Sequence, residues 1–215
     1  MNITNEDNMK LMARYEDNHF DLAIVDPPYG IGIANKKYTY NTSKKWKNPT
    51  KVIEYTKDWD KESPNQEYFN ELFRVSKNQI VWGANHFISK MPIDSSCWVI
   101  WDKLNGTSNQ ADFEMAWCSF KTAARKFTYL WDGFKKKIPE KKNHPTQKPV
   151  SLYEWLLMNY AKEGDKILDT HGGSMSIALA CHNLNFDLTL CELDTEYYEA
   201  GLKRLKQHQK QIRLF

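Results

Sequence analysis

Short apolar runs recur along this 215-residue chain at intervals that leave room for one helix or loop between them. Residues 21–26, 79–83, 97–101, 113–120, 126–131, 166–169 and 188–192 are mostly short, apolar runs with β-branched or aromatic residues, as strands covered on both faces should be. Helical periodicity falls in several of the gaps. Pro64 opens a helix through Tyr68, Phe69, Leu72, Phe73 and Val75, and Pro149 opens another through Leu152, Trp155, Leu156 and Met158. Ser174 or Ser176 leads into Ile177, Leu179, Ala180 and Leu184, and a last helix begins near Asp194. Strands alternating with helices predict an α/β layer fold with a mostly parallel central sheet and helices on both faces. Residues 1–215 read as a single domain, with irregular loops at about 31–60 and 121–147.

Composition excludes several classes. Aromatic residues make up 13% of the chain, too many for a disordered polymer despite a mean hydropathy of -0.71. No apolar run approaches the roughly 20 residues of a membrane span, and the polar, acidic start is no secretory signal. Cys97, Cys118, Cys181 and Cys191 show no metal-finger spacing, so reduced core thiols of a cytoplasmic protein are expected and no metal site. The net charge of +3 conceals a segregation. From Ile31 to Ile53 there is no acid, but Lys36, Lys37, Lys44, Lys45, Lys47 and Lys51 are interleaved with Tyr38, Tyr40 and Trp46. A second run, 135–148, holds Lys135, Lys136 and Lys137 and a single acid, Glu140. Such runs fit a polyanion, with aromatic rings for base stacking, or simply a solvated loop.

Three motifs carry chemistry. Asp26-Pro27-Pro28-Tyr29-Gly30 follows a strand, where ligands of open α/β sheets bind. Two prolines fix the backbone and remove two N–H donors. A stiff loop with a carboxylate, carbonyl acceptors and a ring suits an exocyclic amino group on a stacked base. Asp169-Thr170-His171-Gly172-Gly173-Ser174 lies between a strand and a helix, and Glu192 ends the next strand about twenty residues on. That layout holds a nucleoside's ribose, although the dinucleotide fingerprint is absent. Asn143-His144-Pro145-Thr146-Gln147-Lys148-Pro149 precedes a helix and could hold a carboxylate, or be only a basic loop ending in a helix-starting proline.

Together, Asp26 to Tyr29, His144 to Pro149, Asp169 to Ser174 and Glu192 resemble the β-type, permuted DNA N6-adenine amino-methyltransferases, in particular their small phage or prophage members. Trp82-Gly83-Ala84-Asn85-His86 and Asn5 to Met9 share the likeness, which covers nearly the whole chain. The resemblance implies a Rossmann-like methyltransferase fold, S-adenosyl-L-methionine as cofactor, and double-stranded DNA with a flipped adenine as substrate. It implies a homodimer only as a further family trait, and restriction-modification as the biological setting. It makes Asp26, Pro27, Pro28 and Tyr29 the catalytic set, with Asp26 and the Pro27 carbonyl on the target amine and Tyr29 on its ring. Asp169, Thr170, His171, Gly172, Gly173 and Ser174 would line the cofactor together with Asp26, with Glu192 on its ribose and Asp7 and Asn8 near its adenine. Thr146, Gln147 and Lys148 would lie at its methionine end. Lys36, Lys37, Tyr38, Lys44, Lys45, Trp46, Lys47, Lys135, Lys136 and Lys137 would face DNA, and without a large recognition domain the target should be short or loosely specified.

Met175 departs from the pattern, standing where such loops carry a second glycine, and it puts tight cofactor binding in doubt. His171 replaces a more usual apolar residue and is expected to pack under the cofactor. Cytosine N4 is the nearest alternative target, but those enzymes more often carry Ser at the position of Asp26. An RNA or protein amide methyltransferase would more often carry Asn there. A weakened nucleic-acid-binding relative is the alternative of another class.

Overall fold

The computed structural model describes residues 1–33, 37–38, 53–54, 57–91, 94–105, 111–132, 135–136 and 144–210. One eight-stranded sheet is built from β1 (Asn2–Thr4), β2 (Phe20–Val25), β3 (Ser76–Trp82), β4 (Trp98–Asp102), β5 (Phe113–Cys118), β6 (Arg125–Thr128), β7 (Lys166–Asp169) and β8 (Asp187–Cys191). The helices are α1 (Asn8–Met12), α2 (Gln66–Val75), α3 (Val150–Tyr160), α4 (Ser176–Leu184) and α5 (Thr195–Gln209). Across the sheet the order is β1-β8-β7-β2-β3-β5-β4-β6. The first five strands are mutually parallel. β5 runs antiparallel to both neighbours, and β6 is parallel to β4.

Strand alternation divides the core in two. Leu22 and Ile24 of β2, with Ile80 and Trp82 of β3, pack toward α3, α4 and α5. Ala23 and Val25, with Val81, turn to the opposite face and meet α1 and α2. Helix α2 buries Tyr68, Phe69, Leu72 and Val75, an i, i+1, i+4, i+7 stripe. Helix starts follow the capping rules. Asn65 Oδ1 accepts from the Tyr68 N–H, so Pro64 stands one residue outside the cap of α2. Pro149 is itself the N-cap position of α3, and Asp194 caps α5 through the N–H groups of Glu196 and Tyr197. All four cysteines are buried and unpaired. No described helix is long and apolar enough to cross a membrane.

One expectation needs correction, and two elements were missed. The apolar run 126–131 is not one strand: β6 ends at Thr128, and Trp131–Asp132 pairs separately, antiparallel to Lys135–Lys136. β1 and α1 were not legible at all. β1 has three residues and one apolar side chain, Ile3, yet it completes the sheet edge against β8. α1 is five residues long and is started by Asp7, whose Oδ1 accepts from the N–H groups of Met9 and Lys10.

Candidate active site

In parallel strands every carboxyl end lies on one sheet edge, so the segments that leave them are gathered together. Asp7 and Asn8 follow β1, Glu192 follows β8, residues 170–174 follow β7, the Asp26 loop follows β2, and Gly83 to His86 follow β3. Residues from each of these segments line one cavity of about 1230 Å³, with Asn85 and His86 from the last. Because β5 is antiparallel to β3, the start of β5 and the end of β4 reach that same edge. This brings in Glu114 and Lys103, which lie outside every motif.

The Asp26 loop is held from outside itself. Pro27 and Pro28 have no N–H, and the remaining amides need an acceptor. Buried Asp60 supplies it: Oδ1 accepts from the Tyr29 N–H at 2.7 Å and the Gly30 N–H at 3.0 Å, and Oδ2 from the Ile33 N–H at 2.8 Å. Tyr29 stacks on His86, with ring centroids 5.0 Å apart and planes 16° from parallel. Gly83, at φ +69°, lets the tyrosine approach, since a Cβ there would stand 2.0 Å from the ring.

A row of charges runs through this part of the cavity. Asp26 Oδ1 accepts from the Tyr29 hydroxyl at 2.8 Å, and Oδ2 accepts from Lys148 Nζ at 2.5 Å. The same ammonium lies 3.0 Å from Glu114 Oε2 and 3.3 Å from the Tyr29 hydroxyl oxygen. Glu114 Oε1 in turn pairs with Lys103 Nζ at 2.6 Å. Burial raises the Asp26 carboxyl above its ordinary range, with Lys148 opposing and Glu114 adding to the rise. Burial would lift Glu114 as well, but Lys148 and Lys103 hold it down at about 2. For Lys148, burial favours the neutral amine, yet Asp26 and Glu114 outweigh it and keep the ammonium. The structure aims Lys148 at Asp26 and Glu114: an ammonium 2% exposed needs carboxylates against it.

On the other side of the cavity, Glu192 Oε2 accepts from the Gly173 N–H at 2.7 Å and Oε1 from the Asp194 N–H at 2.8 Å. His144, between Trp59 and Tyr197 at 5.0 and 4.3 Å, forms an aromatic wall that Lys57 closes by pairing with Asp194. His171 is fixed by Asn8 Nδ2 at 3.2 Å and Thr170 Oγ1 at 2.9 Å, and Thr170 meets the Tyr68 hydroxyl at 2.7 Å. Burial pulls the imidazole down to about 4, so it is neutral. Burial also pushes Asp169 up to about 8 against the His171 N–H it accepts.

Of the residues expected in the site, Asp26 to Tyr29, Asp7, Asn8, Thr146, Gln147, Lys148, Thr170 to Ser174 and Glu192 all line the cavity. Asp169 does not: it is 3% exposed and shapes the loop from beneath. Met175 is also turned away. It takes the left-handed backbone, φ +57°, that its glycine-like place demands, and its side chain packs under α5 against Gly201. Lys36, Lys44, Lys45, Trp46, Lys47 and Lys137 lie outside the described residues, as do the side chains of Lys37, Tyr38, Lys135 and Lys136. Glu114, Lys103, Asp60, Trp59 and Tyr197 were missed. Only Glu114 left a trace, as one acid in an otherwise apolar strand.

The family model for DNA methylases matches residues 90–203. The chain is 26% identical to Type II methyltransferase M.HpaI of Haemophilus parainfluenzae over 243 residues, 92% of this chain and 71% of that protein. It is also 26% identical to Type II methyltransferase M2.DpnII of Streptococcus pneumoniae over 252 residues, 96% of this chain and 90% of that one. Among solved structures, the M1.HpyAVI–SAM complex superposes with a TM-score of 0.60 at 19% identity, covering 95% of this chain and 98% of that one.

Proposed function

Since this chain belongs to the N6/N4 DNA methylase family, we propose that it methylates the N6 amino group of an adenine turned out of duplex DNA, with S-adenosyl-L-methionine as methyl donor. The observation that carries the reading is a half-buried carboxylate, Asp26, fixed by Tyr29 and Lys148 in the same cavity as Glu192.

The donor set fits the cofactor. The Glu192 carboxylate, lining the cavity, suits a ribose diol. Asp7 and Asn8 would take its adenine, and Thr146 and Gln147 its methionine end. Bound there, the cofactor supplies an electrophilic methyl group. This chain's residues supply orientation and charge. Asp26 accepts an N–H of the target amine, which aims the nitrogen lone pair and offsets the positive charge it acquires. Tyr29, backed by His86, stacks on the flipped base. Asp60 keeps the loop in place. The lysine run begins just beyond Ile33 on the cavity wall, where it would meet DNA phosphates.

Incubation with unmethylated bacterial DNA and labelled cofactor, followed by nucleoside analysis, should yield N6-methyladenine. Recovery of N4-methylcytosine would replace adenine as the target. Asp26→Ala should abolish transfer while calorimetry finds cofactor affinity within about threefold of the parent. Retained transfer would remove Asp26 from the reaction.

A further inference from the structure

Lys148 has three N–H donors, and three acceptors surround it: Asp26 Oδ2, Glu114 Oε2 and the Tyr29 hydroxyl. Were the ammonium committed to Asp26 alone, that pair would be neutral. An amine turning cationic beside it would then meet little net negative charge. We propose that Glu114 is a positioning residue for methyl transfer: it shares the Lys148 ammonium and so leaves Asp26 the uncompensated charge that the developing cation needs. The proposal rests on Asp26 being the acceptor of the target amine.

Geometry supports this over a mere counter-ion role. Glu114 lies at the start of β5, opposite Trp101 of β4, and its side chain lines the cavity. It uses a different oxygen for each lysine, so Lys103 draws on the oxygen that Lys148 does not use. The row alternates in sign from Lys103 through Glu114 and Lys148 to Asp26. The other titratable groups facing Asp26 are Tyr29 on its own loop, Tyr153 of α3 and Asp169 at the end of β7. The two tyrosines stay neutral because burial raises them, and burial pushes Asp169 up as well, to about 8.

The test is single-turnover methyl transfer to unmethylated bacterial DNA as a function of pH, with cofactor affinity measured alongside. Glu114→Gln keeps the side chain's size and removes its charge. The plateau rate should fall by about tenfold or more, with cofactor and DNA affinities within about twofold. Because Glu114's charge raises Asp26, the acid limb should also move to lower pH. Lys103→Met should move that limb the opposite way, to higher pH, and decides the matter alone if the glutamine variant does not fold. A Glu114→Gln enzyme with parental rate and an unmoved limb overturns the proposal. So does a defect confined to KM, or a Lys103→Met limb that stays in place. If the unaltered protein transfers no methyl group at all, the function proposed above fails and takes this inference with it. An active parent with an indifferent Glu114→Gln removes this inference alone.

Discussion

Asp26 shows how much of a residue's chemistry is set by its neighbours. By itself it is a carboxylate after a strand. Lys148 and Tyr29 orient its two oxygens, and Glu114 then tunes how much charge it retains. Gly83 is the most sensitive small residue nearby. Its φ of +69° suits glycine, and any Cβ would strike three atoms of the Tyr29 ring at 2.0–2.4 Å. Gly83→Ala should displace the tyrosine and lower single-turnover transfer by about 10²-fold, the cost typical of misplacing a reacting group by about 1 Å. Unchanged far-ultraviolet circular dichroism should accompany the loss; an unimpaired rate would show that Tyr29 need not sit where it does. At this scale the motif residues were legible because they are contiguous. Glu114 and Asp60 were not, since each matters only through partners far away in the chain.

Elements read well where local chemistry is strong. β7 occupies residues 166–169 as expected, and helix starts near Pro64, Pro149 and Asp194 follow from capping. β1 and α1 were hidden because three and five residues leave no periodicity to detect. The α4 start holds the other surprise. Met175 takes the left-handed backbone of a glycine, and Gly201 of α5 makes room for its side chain, since a Cβ there would lie 2.6 Å from Met175 Cγ. The doubt about cofactor affinity therefore becomes a question of packing. Met175→Gly relieves roughly 1 kcal/mol of backbone strain and forfeits a buried side chain typically worth about 2–5 kcal/mol. The variant should be less stable by about 1–4 kcal/mol in denaturant titration, with cofactor affinity unchanged by calorimetry. A marked change in affinity would mean that Met175 reaches the cofactor after all.

Across the whole molecule, one sheet edge gathers the residues of the proposed methyl-transfer site. The six lysines between Ile31 and Ile53 should make DNA binding steeply salt-dependent, with a log–log slope of about -0.9 per phosphate neutralised. Fluorescence anisotropy over a salt series should give a slope of about -4 or steeper. A flat response would remove the lysine run from the interface.

The sequence alone determined the α/β class, the strand-to-loop position of Asp26, the Gly172-Gly173 turn and the acid at Glu192. Periodicity, turn chemistry and capping act over a few residues, so a linear reading captures them. Only the tertiary structure decided that β5 lies antiparallel beside β3, carrying Glu114 to Lys148, and that Asp60 ties down the proline loop. Strand order and side-chain pairing come from burying all faces of the sheet at once, and no local stretch of the chain encodes that global condition.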